Sequence, residues 1–172
     1  MDIYEFDAFI CYSPDNDFHR LWVRHNLTYK LENEAQFTIV DPERDFPLGQ
    51  NNVHNTEDYM DRSRHLIVVV SDLALDDSFF RYQIESAHAR AQERNKHLFI
   101  ITFEELAKPI ANATVRVLLR DHIRLKWSHQ RTGQIRFWER LSQHLDGAEE
   151  VCECCSLVCK IPGHSRHISR RE

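Results

Sequence analysis

The 172-residue chain has little of what breaks or loosens a fold: 4 glycines and 5 prolines. That scarcity excludes collagen-like, glycine-linker and proline-rich architectures. It also lacks an excess of positive charge. Lys+Arg number 22 against 27 Asp+Glu, a net charge of −5, which leaves no electrostatic footprint for nucleic acid. No apolar run approaches the ~18 residues of a bilayer span; Leu66 to Val70 has only the length of a strand. The opening Met1-Asp2-Ile3-Tyr4-Glu5 has no basic-then-apolar signal-peptide pattern. Cysteine is nearly missing from the body of the chain. Cys11 stands alone in an apolar run, as a small core hydrophobe, while Cys152, Cys154, Cys155 and Cys159 crowd the end. A secreted disulfide scaffold spreads its cysteines through the fold, so a reducing, cytoplasmic setting is expected.

What is present alternates between strand and helix patterns. Asp7 to Tyr12 is a short apolar run closed by Ser13-Pro14-Asp15-Asn16, which is turn chemistry. Phe18, Leu21, Trp22, His25 and Tyr29 then recur at helical spacing, with Asp15 or Asn16 placed to cap. Phe37 to Val40 forms a second strand, followed by the loop Asp41 to Gly49 and a polar helix over about 51–62. His65 to Ser71 and His97 to Phe103 are continuous apolar runs, the signature of strands covered on both faces. Between them Asp76 or Asp77 can cap a helix carrying Phe80, Ile84, Ala87, His88 and Ala91 on one stripe. Residues 104–121 stay ambiguous. Ile123 to Trp127 alternates, so it fits an edge strand, and Gln134 to Leu145 closes the domain as a helix with Phe137, Trp138, Leu141 and Leu145 inward.

Five strands alternating with helices predict a three-layer α/β domain over 1–146, a parallel sheet with helices on both faces. Residues 147–172 are expected to be a disordered tail, Cys-rich and then basic. Its Cys152–Cys159 spacing matches no paired Cys-x-x-Cys zinc pattern; metal binding or acylation are the alternatives to an idle tail. In parallel α/β sheets ligands and partners meet the loops beyond the carboxyl ends of the strands. That rule singles out 13–17, 41–49 and 71–78.

Catalytic motifs are missing. There is no Gly-x-Gly-x-x-Gly, no phosphate-binding Gly-x-x-x-x-Gly-Lys-Ser/Thr, no Gly-x-Ser-x-Gly and no His-Glu-x-x-His. The 11 histidines are scattered, with no i, i+4 ligand pair. His65 and His97, each opening a strand, are expected to shape the lower rim of the sheet. No catalytic residue, cofactor or metal is therefore expected. The loop Glu43-Arg44-Asp45-Phe46-Pro47-Leu48-Gly49 carries the remaining signal: an ion-pairing Arg-Asp, an aromatic, a stiff proline and a permissive glycine. Phe46 and Leu48 at its tip either anchor an interface or, for Phe46, fold back over the core.

At these residues the chain resembles the Toll/interleukin-1 receptor (TIR) domains. Phe6 to Ser13, with Asp7, Phe9 and Tyr12, is similar to their first box; Arg44-Asp45-Phe46-Pro47-Leu48-Gly49 to their second, the BB loop; Phe137-Trp138 to their third. Ser63 to Ser71 is similar to the strand that follows the second box, and Leu125-Lys126-Trp127 to animal Toll receptors in particular. The resemblance implies a flavodoxin-like fold. It also implies a signalling module on the cytoplasmic face of a membrane, tied to it by an upstream span absent here, that associates with itself and with adaptor TIR domains through Arg44 to Gly49. A soluble adaptor is the next reading. Some TIR domains cleave NAD through a glutamate in a Trp-x-x-x-Glu helix; here Phe79 and Gln83 stand at those positions, and Gln83 cannot ionise. Glu85 lies two residues along, about 200° round the helix. Outside the family, a flavodoxin-like response module would need more clustered acid than Asp15 and Asp17. One departure marks the loop: the family's proline directly precedes the glycine, whereas Pro47 comes one residue earlier and Leu48 takes that place. Phe46 and Leu48 are expected to be replaceable by alanine with the fold intact, and Trp138 to be core.

Overall fold

The computed structural model describes residues 4–103 and 113–147. Phe6–Cys11 (β1), Ile39–Val40 (β2), Ser63–Val70 (β3), His97–Thr102 (β4) and Ile123–Lys126 (β5) pair in the order β2-β1-β3-β4-β5, all parallel. β3 and β4 are interior, apolar over Leu66–Val70 and Leu98–Ile101, and the alternating β5 is an edge, as the patterning predicts. β2 keeps two residues of the expected four. Asp7 explains why so short a strand holds: its carboxylate accepts from the Thr38 N–H at 2.7 Å and the Thr38 hydroxyl at 2.8 Å, riveting β1 to the approach of β2.

Because a parallel sheet needs crossovers on its faces, alternate residues of each strand feed two separate cores. Ala8, Ile10, Ile67, Val69, Phe99, Ile101 and Leu125 meet Trp22, Val23, Leu27 and Leu31 from one side of the chain and Phe137, Leu141 and Leu145 from another. On the opposite face Phe9, Cys11, Leu66, Val68, Leu98 and Ile100 meet Met60, Phe80, Ile84, Ala87 and Leu118. The helices are α1 (Asp17–Trp22), α2 (Tyr29–Asn33), a single turn α3 (Pro42–Asp45), α4 (Asn52–Arg62), α5 (Ser78–Glu93), α6 (Ala113–Asp121) and α7 (Arg131–Asp146). Of the paired cap candidates the structure takes the second each time: Asn16 accepts from His19 N–H at 3.1 Å and Asp77 from Phe79 N–H at 2.8 Å. Gly147, left-handed at φ 70°, ends α7.

Two expectations are corrected. The first helix does not bury Phe18, Leu21, His25 and Tyr29, which are exposed; it buries His19, Trp22, Val23, Leu27 and Leu31. The cause is a π-helical segment, Val23–Thr28, between α1 and α2. Its wider turn slows the rotation of the buried stripe, so a 3.6-residue period read across 18–29 tracks the wrong face. The second concerns Trp138, which packs on the rim of the core, half-buried, with the Lys30 ammonium 5.4 Å from its ring centroid. Phe137 is the buried member of the pair, edge-on to Trp127 with centroids 5.1 Å apart. The tail from 148 and the ambiguous stretch 104–112 lie outside the described residues.

Buried polar groups fasten the lower rim. The Lys96 ammonium donates to the Met60 and Asp61 carbonyls at 2.8 Å each and to that of Ser63, satisfying the end of α4. The His65 imidazole Nε2 lies 3.0 Å from the Leu145 carbonyl, joining β3 to α7.

Phe137→Ala is expected to cost about 3–5 kcal/mol and Trp138→Ala clearly less, measured by urea unfolding. Burial holds His65 down to about 3, aided by Arg64 and His97, and His19 down to about 4. The unfolded chain binds their protons below about 6.5 while the folded domain does not. Stability is therefore full above that value and lost as pH falls through it. Melting temperature should drop between about pH 7 and pH 5, with a shallower slope for His65→Gln; a rise on acidification would contradict this.

Candidate functional site

The Asp41–Gly49 loop leaves the carboxyl end of the edge strand β2, where it owes nothing to a further strand neighbour. Its first half is held hard. Asp41 caps α3, accepting from Glu43 N–H at 3.1 Å with Pro42 in the first helical turn. The same carboxylate oxygen accepts the Tyr12 hydroxyl at 2.7 Å, which ties the loop to the end of β1. Burial, then the Asp41 charge, push the Tyr12 phenol far above its ordinary range, so it stays a donor.

Arg44 is the clamp. Its Nε and Nη2 donate to both oxygens of Asp45 at 2.7 and 2.9 Å, and Nη1 and Nη2 to both oxygens of Glu32 in α2 at 2.9 and 2.8 Å. Nη2 also reaches the Ile39 carbonyl at 2.8 Å. One planar guanidinium thus joins α2, β2 and α3, a geometry lysine cannot reproduce. Hydrogen bonding to Asp45, then to Glu32, keeps its proton bound more firmly than in a free arginine. Asp45 closes the circuit by accepting from the Asp41 N–H at 2.8 Å.

The second half divides between anchor and tip. Phe46 turns inward: its ring lies 5.4 Å from Tyr59 and 6.1 Å from Phe9, centroid to centroid, while the Tyr59 hydroxyl donates to the Asp45 carbonyl at 3.2 Å. Of the two alternatives for Phe46, the structure takes the fold-back. The expectation that it is replaceable without harm to the fold is corrected: its half-buried phenyl packs on the apolar core. Leu48 does the opposite and is 101% exposed. Between Pro47 and Gln50, an N–H to carbonyl bond of 3.4 Å and Gly49 at φ 79° form a type II turn. Such turns favour proline at their second position; here Leu48 occupies it, so the one-residue shift of Pro47 trades a stiff ring for an isobutyl group thrust into water.

Of the other sequence-singled residues, Asp7, Phe9, Tyr12, Phe137 and Trp138 are all in supporting roles around β1 and α7. Gln83 is 2% exposed on the core side of α5, its Oε1 without a hydrogen-bond partner among the described residues. Glu85 is on the exposed face of the same helix. Neither lies in the loop circuit. Sequence reasoning placed Asp41 in the loop without giving it a role, and missed Glu32 and Tyr59. Asp41-Pro42-Glu43 carries a legible cap signal; Glu32, twelve residues from Arg44, has none. Among the described residues, no group of three or more His, Cys, Asp or Glu is placed to hold a metal, and no helix is long and apolar enough to cross a membrane.

Sheet order, first box and loop define the class. Residues 8–130 match the TIR domain family, and the chain belongs to it. It is 27% identical over 141 residues to goat (Capra hircus) Toll-like receptor 2, covering 79% of this chain and 18% of the receptor. Against Toll-like receptor 2 type-2 of Gallus gallus it is 27% identical over 145 residues, 81% of this chain and 18% of that one. The chain thus spans less than a fifth of the length of these curated relatives. The TIR domain of the Toll-related receptor TRR-2 from Hydra magnipapillata superposes with a TM-score of 0.64 at 22% identity, covering 82% of this chain and 98% of that one. A TIR-STING receptor from C. gigas gives 0.60 at 20%, covering 83% and 41%. Both share the flavodoxin-like fold.

Arg44→Ala should release the loop. Amide hydrogen exchange at 42–50 is expected to accelerate while global stability changes by no more than about 1 kcal/mol, since the pairs are partly exposed. Unchanged exchange there would show that Tyr12 and Phe46 suffice to hold it.

Proposed function

We propose that this domain is a non-enzymatic signalling module that associates with itself and with other TIR domains through the tip of the 41–49 loop. Leu48 carries the proposal. It is a fully exposed apolar side chain on a turn whose base is immobilised by Arg44, Asp41 and Phe46, so a partner that buries it orders little new chain. Burying one such side chain supplies about 1.5–3 kcal/mol. Association of single domains is then weak. Clustering supplies the rest: tethering two copies raises effective concentration toward about the millimolar range. The resemblance to Toll-like receptor 2 supports a receptor placed at the cytoplasmic face of a membrane and recruiting an adaptor; an adaptor origin is the second reading. Arg44, Asp45, Phe46, Pro47 and Gly49 shape the surface and Leu48 contacts the partner.

Gln83 speaks against NAD cleavage. Its amide is nearly isosteric with a glutamate but carries no charge to stabilise a developing cation, and it is buried in α5.

Leu48→Glu is expected to abolish concentration-dependent association in sedimentation equilibrium with the melting temperature unchanged; retained association would remove the loop tip from the interface. Measured beside it, NAD turnover should be undetectable in the parent chain, and appreciable turnover would overturn the non-enzymatic reading.

A further inference from the structure

At the sheet edge opposite the loop, a cavity of about 780 Å³ lies between the end of β5 and the N-terminal half of α7. Its size falls in the range of small-molecule sites. Half-buried Phe103 lines it beside the buried rings of Trp127 and Phe137. Arg124, Lys126, His129, Arg136 and Arg140 stand around it, and none of its described lining residues is acidic. That contrasts with the rest of a domain whose chain is net negative. Several arginines elsewhere are held by carboxylates: Arg20 by Asp17, Arg62 by Glu5 and Asp58, Arg90 and Arg94 by Asp61. Arg136 and Arg140, one turn apart on α7, have no carboxylate partner among the described residues. Two like charges at this spacing repel, and a multivalent anion between them removes the repulsion.

The base of the cavity is closely packed. A Cβ on Gly133 would lie 2.4 Å from the Ser128 Oγ, so only glycine lets the loop after β5 close onto the first turn of α7. Gln130, at the N-cap, makes no side-chain bond to that turn.

We infer that this cavity binds a small, multiply phosphorylated anion, the chemistry shared by a free inositol phosphate and a phosphoinositide headgroup. The guanidinium forks take the phosphates. The site is remote from Leu48 and does not depend on the loop reading.

The test is calorimetric titration of the full chain with inositol trisphosphate. Saturable, salt-sensitive binding is expected, weakened about tenfold or more by Arg136→Ala with Arg140→Ala at unchanged melting temperature. The charge-matched pair Arg81→Ala with Arg116→Ala, on exposed faces of α5 and α6, should bind like the parent. No saturable binding up to about 1 mM, or equal weakening by both pairs, overturns the proposal. So does a glutamate-rich peptide that binds where the phosphate does not. Tighter binding to phosphatidylcholine vesicles carrying phosphatidylinositol bisphosphate than to the soluble probe assigns the lipid headgroup; equal or weaker binding assigns the free anion.

Discussion

Burial of β1, β3 and β4 on both faces is the constraint on which the remaining structure depends. A parallel sheet this apolar survives in water only if helices cover each side, so every connection must cross over and every loop must emerge at one end of the sheet or the other. The consequence is spatial. The loop after β2 leaves an edge strand of two residues, held by Asp7 and Thr38, and is free to project because no neighbour lies beyond it. At the other edge β5 and α7 leave a cleft where the sheet runs out. The two surface features of the domain are thus products of where the sheet ends.

Rigidity inside the projecting loop comes from polar groups and exposure from apolar ones, the reverse of their usual assignment. Arg44 bridges Asp45 and Glu32, Asp41 serves at once as cap and as acceptor for Tyr12, and Phe46 supplies an aromatic plug. With the base so held, the turn at 47–50 can present Leu48 without collapsing it onto the surface. Clamp and tip do different work, and the residues of the second box divide between them: Arg44, Asp45 and Phe46 look inward, Pro47, Leu48 and Gly49 outward.

The π-helical segment is the least anticipated element. By slowing the rotation of the first helix it carries Leu27 and Leu31 onto the core while leaving Glu32 within reach of Arg44. Phe18 and Leu21, in the α-helical turn before it, are exposed, Phe18 resting edge-on to Phe103 with centroids 4.9 Å apart.

The sequence by itself determined the strand count, the two doubly covered strands, helix caps to within one residue (Asp15 or Asn16, Asp76 or Asp77), the loop that carries the candidate site, and the family. Each of these is written in local pattern: runs of β-branched residues, a polar cap before a periodic stretch, a motif of six residues. What only the tertiary structure decided depends on contacts distant in the chain. The inward turn of Phe46 needs Phe9 and Tyr59 to be at hand; the Arg44 clamp needs Glu32 brought beside it by a π-turn; Trp138 stays on the rim because Phe137 already fills the space against Trp127. Local chemistry specifies which element forms. Which side of it is buried, and which charge meets which, is set by the neighbours that packing supplies.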